Sequence, residues 1–112
     1  MIKIIVLIVL FCVSPTSAED IYITKEGYVA ANTLDMMELV VYALQANDSY
    51  GFNSILDSSR DVYPLRGGME VYIEDEAIYT GRRTQRLIKI HQIERNKSVW
   101  VLPKSIYLKD DG

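Results

Sequence analysis

The sequence has 112 residues, with 12 Lys and Arg residues against 15 Asp and Glu residues, and a net charge of −3. This length is too short for two ordinary domains. The mildly acidic charge argues against nucleic acid as the main partner, because nucleic-acid-binding domains are usually basic. The sequence therefore predicts one small domain whose partners are not nucleic acids.

The first 18 residues have the layout of a secretory signal peptide. A short positive start ends at Lys3, an apolar run spans Ile4–Val13, and small residues lead to Ala18. A membrane-spanning helix needs about 20 apolar residues, and this run is much shorter. We therefore predict cleavage after Ala18, export to the periplasm or beyond, and no stable membrane span in the mature chain, residues 19–112.

The single cysteine, Cys12, lies inside the predicted signal peptide. Its removal would leave a mature chain without disulfides, thiolate metal ligands or a cysteine nucleophile. A small exported domain without disulfides is more typical of a bacterial periplasm than of animal secretion. Loss of Lys3 leaves 11 basic residues against 15 acidic residues, a net charge of −4.

The mature chain begins with two short strand patterns. Ile21–Thr24 and Tyr28–Ala31 are rich in β-branched and aromatic residues, and a turn is predicted at Glu26–Gly27 between them. Both segments are short, so they predict two brief strands rather than one long strand.

A helical insert is predicted next, at about residues 32–60. Residues 32 and 33 are suited to cap a helix, and the apolar spacing from Leu34 to Leu44 predicts an amphipathic helix. The expected buried stripe consists of Met37, Val40, Val41 and Leu44. A break with capping residues is predicted at Asn47–Ser49, and a second, shorter helix is predicted to run through Phe52, Ile55 and Leu56 to about Ser59.

Strand patterns return after residue 60. Residues 61–65 are extended, and Pro64 predicts a sheet edge or a loop. Met69–Glu74 alternates, so that Met69, Val71 and Ile73 should share one face. Residues 75–85 are predicted to form a long polar loop that includes an acidic turn, and Arg86–Ile93 is predicted to form the next strand.

The closing segment, Ser98–Leu108, has apolar residues on both faces of a predicted strand. Val99 and Val101 should face one way, and Trp100 and Leu102 the other. Pro103 ends the ladder because it has no N–H to donate. The sequence is consistent with two alternatives for what packs on Trp100. One is the apolar stripe of the predicted helix, and the other is a ligand in an aromatic groove formed by Tyr72, Trp100 and Tyr107.

Three segments together resemble Src-homology-3-like barrels, and the resemblance implies that Tyr28–Ala31 is the opening strand. They are L-R-G-G-M-E-V-Y (Leu65–Tyr72), R-L-I-K-I-H (Arg86–His91) and S-V-W-V-L-P-K-S-I-Y-L (Ser98–Leu108). The resemblance implies a mainly β fold of the α+β class, a small barrel of about five antiparallel strands with the helical insert in its long first loop. It also implies an exported cell-envelope binding module for a peptide, a cell-wall component or an envelope protein.

The chemistry-bearing residues do not predict an enzyme. His91 is the only histidine, and no second histidine stands at metal-ligand spacing. We expect no catalytic residue, metal or cofactor, although a small hydrolase built on carboxylates stays a minor hypothesis. The alternative to the binding module is an inhibitor or accessory subunit of an exported enzyme. Basic residues at 82–97 follow acidic residues at 70–76, and this pattern predicts either cross-strand pairs or a basic binding face.

Overall fold

The computed structural model describes residues 20–109. The predicted signal peptide and its cleavage site therefore lie outside the described residues. Within them the chain forms seven strands, two α-helices and one 3₁₀ turn. In chain order these are β1 Tyr22–Thr24, β2 Val29–Ala31, α1 Leu34–Gln45, α2 Ser49–Ser58, β3 Val62–Pro64, β4 Glu70–Thr80, β5 Thr84–Gln92, β6 Lys97–Val101, the 3₁₀ turn Pro103–Ser105 and β7 Ile106–Leu108.

The strands form one antiparallel sheet in the order β3-β2-β6-β5-β4-β1-β7, curled into a half-barrel. The prediction of a mainly β fold with a helical insert is confirmed, with seven strands in place of about five. Pro64 lies in the edge strand β3, as its missing N–H predicts.

A buried threonine joins β1 to the turn that leads into β4. Thr24 donates its hydroxyl proton to the Arg66 carbonyl at 2.7 Å and accepts from the Met69 amide at 2.9 Å. The turn needs a glycine at Gly68, whose φ of +79° is a backbone conformation that other residues rarely adopt. These bonds bring the first strand against the middle of the sheet.

The concave side of the sheet holds the inner core. The predicted pairs Val99/Val101 and Ile88/Ile90 are confirmed as parts of this cluster, and so are Met69 and Val71, with Ile73 packed against it. Its buried members are Ala30, Leu65, Met69, Val71, Ile88, Ile90, Val99, Val101 and Ile106. Alternation along each strand therefore sends one set of apolar residues into the half-barrel.

The two helices cover part of the convex side and create a second cluster, the outer core. Its buried members are Ala31, Met37, Val40, Val41, Val62, Leu87 and Trp100. Both helices begin at a side-chain cap: Thr33 accepts from the Met36 amide at 3.2 Å, and Asp48 from the Gly51 amide at 2.9 Å. The second helix begins at Ser49, directly after Asp48, which is one of the residues predicted to cap it.

Two details of the predicted helices and loops were wrong. Leu44, assigned to the buried stripe of α1, is 44% exposed, and Ala43 is buried instead. The predicted polar loop at residues 75–85 is a β-hairpin, because β4 runs on to Thr80 and β5 begins at Thr84. The acidic residues 74–76 accordingly lie within a strand and not in a turn.

A β-bulge explains how β4 continues. The register of β4 against β5 shifts between Ile73 and Asp75, which makes Glu74 the extra residue. The shift reverses the alternation, so that Ala77 pairs with Leu87 and packs with Tyr79 against the outer core. One strand thus contributes to the inner core before the bulge and to the outer core after it.

Candidate functional site

Trp100 is covered by the helical insert. Its side chain is 8% exposed and belongs to the outer core with Met37, Val40 and Val41 of α1. Tyr107, in contrast, is 42% exposed, and Tyr72 is half-buried. Of the three aromatic residues of the predicted groove, Trp100 is therefore covered, while Tyr72 and Tyr107 keep part or much of their surface exposed.

Tyr107 lies on the convex side of the sheet, as the strand register shows. Tyr22 pairs with Val71 and packs against the inner core. The next residue, Ile23, must point to the opposite side of the sheet, and it pairs with both Glu70 and Tyr107. These three side chains form one row across β4, β1 and β7.

A second row lies beside the first. Tyr72 pairs with His91, and their rings stack with centroids 5.1 Å apart. Ile93 extends the first row, because it lies opposite Glu70 and donates its amide proton to the Glu70 carbonyl at 3.1 Å; its side chain is 42% exposed. We call this surface the outer face, and it consists of Ile23, Tyr72, His91, Ile93 and Tyr107.

A polar network borders the outer face. The Ser98 hydroxyl donates to Glu74 Oε1 at 2.8 Å and lies 3.0 Å from His91 Nδ1. Glu74 Oε2 is also 3.5 Å from His91 Nδ1, and Lys89 Nζ is 4.0 Å from Glu74 Oε1. Glu74, the bulged residue of β4, thus contacts β5 through Lys89 and His91 and β6 through Ser98.

This network does not have the geometry of a hydrolytic triad. A triad places the serine and the acid on different ring nitrogens, so that the imidazole accepts the serine proton. Here Ser98 and Glu74 share His91 Nδ1, and the serine proton goes to Glu74. The network therefore holds the side chains of Glu74, His91 and Ser98 against one another on the sheet surface.

The charged hairpin residues pair across the strands. Arg86 forms a salt bridge with Glu76 at 3.0 Å, and the hydrogen bonds and charge of Glu76 raise the pKa of Arg86. Lys89 pairs with Glu74, while Lys97 lies 5.0 Å from the centre of the Tyr63 ring. Cross-strand pairing, one of the two predicted interpretations, therefore accounts for Arg86 and Lys89.

Within residues 20–109, no group of three or more His, Cys, Asp or Glu side chains is arranged to hold a metal ion. Neither helix in this part of the chain combines the length and apolar composition needed to cross a membrane.

Comparison of the chain with protein-family models, with curated proteins and with solved structures gives no match.

Sequence reasoning missed Ile23 and Ile93 as members of the outer face. In the sequence pattern Ile93 does not share the strand face of Ile88 and Ile90, and this difference could have indicated that it faces away from the inner core. Its meaning depends on the pairing of β5 with β4, which places Ile93 beside Glu70.

Proposed function

We propose that the protein is an exported, non-enzymatic binding module of the cell envelope, built on a Src-homology-3-like barrel. Five strands in the order β7-β1-β4-β5-β6 support the barrel assignment, together with the 3₁₀ turn between β6 and β7. In this assignment β1, which pairs with β4, is the opening strand in place of the expected Tyr28–Ala31, and the segment β2-α1-α2-β3 stands where the resemblance implies a long first loop.

The observation that carries the binding function is the outer face. It exposes Tyr107 and Ile93 and adds the partly exposed Ile23 and Tyr72 beside them. Tyrosine suits recognition because it offers a broad apolar ring with a polar tip and loses little conformational freedom on binding. A peptide or an envelope protein fits this mixture of aliphatic and aromatic groups best.

The ion pair between Glu70 and Lys109 adds charge to the same surface. Charged groups around an apolar centre are typical of protein interfaces, where they orient the partner more than they add affinity. The centre of binding should therefore be Tyr107 and Ile93, with Glu70 setting the orientation.

The test is a pull-down from bacterial envelope extract with the mature chain, run beside sedimentation with purified peptidoglycan. Tyr107→Ala and Ile93→Ser should each weaken recovery of a protein partner about tenfold. Tyr50→Ala is the matched control, because Tyr50 is 86% exposed on α2 and outside the outer face. Equal recovery by all three variants would overturn the proposal, and sedimentation with peptidoglycan alone would assign a cell-wall ligand.

The alternative function, an inhibitor or accessory subunit of an exported enzyme, is favoured by the solvent side of α1. Leu39 and Tyr42 are 49% and 60% exposed there. If a captured partner is an enzyme, its activity should change on titration with the mature chain and stay constant with Tyr42→Ala.

A further inference from the structure

We propose a second binding site between α1 and β4, which takes a partner segment that combines an apolar side chain with Lys or Arg. A groove of about 370 Å³ runs along the solvent side of the helix. We call it the insert groove, and it is lined by Asp35, Glu38, Leu39, Tyr42 and Tyr79.

The helix places four of these residues on one face. Their spacing of three and four residues gives a continuous stripe, opposite the buried residues Met37, Val40 and Val41. Leu39 and Tyr42 are among the most exposed large apolar residues in the described part of the chain. Tyr79, from β4, is half-buried and forms the facing wall.

Hydrogen bonds connect the two walls of the insert groove, α1 and the β4–β5 hairpin. Gln45 at the end of α1 donates to the Arg83 carbonyl at 2.9 Å and accepts from the Arg83 amide at 3.0 Å. Ala77 and Leu87 pack under the same helix in the outer core. A groove held in this way needs little ordering on binding, which lowers the entropic cost of association.

The charge of the insert groove selects the partner. Neither Asp35 nor Glu38 forms an ion pair within residues 20–109, and no basic residue lines the groove. Arg86, on the neighbouring hairpin, is paired with Glu76. Two carboxylates beside two tyrosine rings favour Lys or Arg, through charge-assisted hydrogen bonds and cation–π contacts.

Ordinary structural roles explain only part of this arrangement. Asp35 in the first turn of α1 stabilises the helix dipole. That role does not account for Glu38 or for the exposed pair Leu39 and Tyr42. A second copy of the chain is a poorer occupant, because a symmetric contact would bring the acidic residues of both copies together.

The experiment is an NMR titration of the ¹⁵N-labelled mature chain with three blocked peptides. The first has the sequence Ser-Arg-Leu-Ser-Arg-Leu-Ser, the second has Glu for Arg, and the third has Ser for Leu. We expect saturable shifts of the Asp35–Tyr42 and Tyr79 amides with the first peptide, and at least fivefold weaker binding of the others. The double variant Asp35→Asn/Glu38→Gln should lose about tenfold in affinity, and Asp57→Asn on α2 should lose none.

Several results would overturn the proposal: no saturable binding of the first peptide, equal binding of the Glu peptide, or shifts that lie outside the insert groove. Concentration-dependent dimerisation abolished by Leu39→Ser would assign the groove to a second copy instead. Tyr107→Ala should leave peptide binding unchanged, so failure of this proposal and failure of the outer-face proposal are distinguishable.

Discussion

Replacing Trp100 with alanine should destabilise the whole domain. The indole is 8% exposed and lies between α1 and the sheet, with Leu87 and Ala31 on the sheet side. A helix and a sheet are both stiff, so they collapse only partly into the space left behind. Truncation of a buried Trp costs about 3–5 kcal/mol of unfolding free energy, and we expect a value in this range.

This loss is large compared with the stability of a domain of this size. The 90 residues from 20 to 109 suggest a free energy of unfolding of about 5–13 kcal/mol. A loss of about 4 kcal/mol with a urea m value of about 1.5 kcal/mol/M would lower the midpoint by about 2–3 M. About 1–9 kcal/mol of unfolding free energy should therefore remain, so the variant is weakly folded in water if the domain lies at the lower end of the range.

The assay is urea unfolding followed by far-UV circular dichroism, because the variant lacks the single tryptophan. Tyr107→Ala is the control, since this side chain is 42% exposed and its loss should cost about 1 kcal/mol or less. A Trp100→Ala variant that loses less than about 1 kcal/mol would refute the assignment of Trp100 to a covered core.

Substitutions at two further residues test buried and surface hydrogen bonding. Gln92 is 1% exposed, and its amide nitrogen and oxygen have no hydrogen-bond partner in the described part of the chain, so Gln92→Leu should raise the unfolding free energy by about 1–2 kcal/mol. A lower urea midpoint for this variant would contradict that reasoning. Gln45→Ala removes both bonds to the Arg83 backbone and should cost about 1 kcal/mol, with faster hydrogen exchange at the Arg83 amide. The unfolding free energy of Gln45→Glu should lie between those of the unchanged chain and Gln45→Ala, because Glu keeps the oxygen that accepts from the Arg83 amide. Unchanged hydrogen exchange in Gln45→Ala would show that the two Gln45 bonds do not hold the β4–β5 hairpin.

The inner core could be predicted from the sequence because strand alternation is a local property. Val99 and Val101 were assigned to one face and Trp100 to the other, and the structure places them in the inner and outer cores. The same reasoning identified the amphipathic helix, whose capped start at Thr33 is also local. Both signals depend on residues that are neighbours in the chain.

The part of the β4–β5 hairpin beyond the bulge could not be predicted in this way. Asp75 and Glu76 are polar and exposed, and they resemble a loop when the partner strand is unknown. The bulge before them is defined by the pairing of β4 with β5, which the sequence pattern does not record. Leu87 lies off the Ile88/Ile90 face in the sequence, a pattern that allows a bulge without placing it; the bulge lies in β4, and Leu87 packs in the outer core.

For a related reason, the sequence could predict the side of the sheet on which the candidate site lies but not which part of that side is exposed. Alternation assigned Tyr72 and Trp100 to the side opposite the inner core, and the pairing of Tyr107 with Ile23 places it there too. Which part of that side is covered depends on where α1 packs, and this is a tertiary contact. The sequence therefore indicated the side of the sheet but not the boundary between core and surface.

The position of α1 has a consequence for how binding experiments on Trp100 are interpreted. Trp100 anchors the helix whose solvent side carries Leu39 and Tyr42, while the outer face lies on strands β1, β4, β5 and β7. Loss of the indole should disturb the insert groove first, because α1 would lose part of its packing. Lost binding in Trp100→Ala is thus expected even though the indole is covered by α1. Only variants of exposed residues, such as Tyr42 and Tyr107, can assign a ligand to either surface.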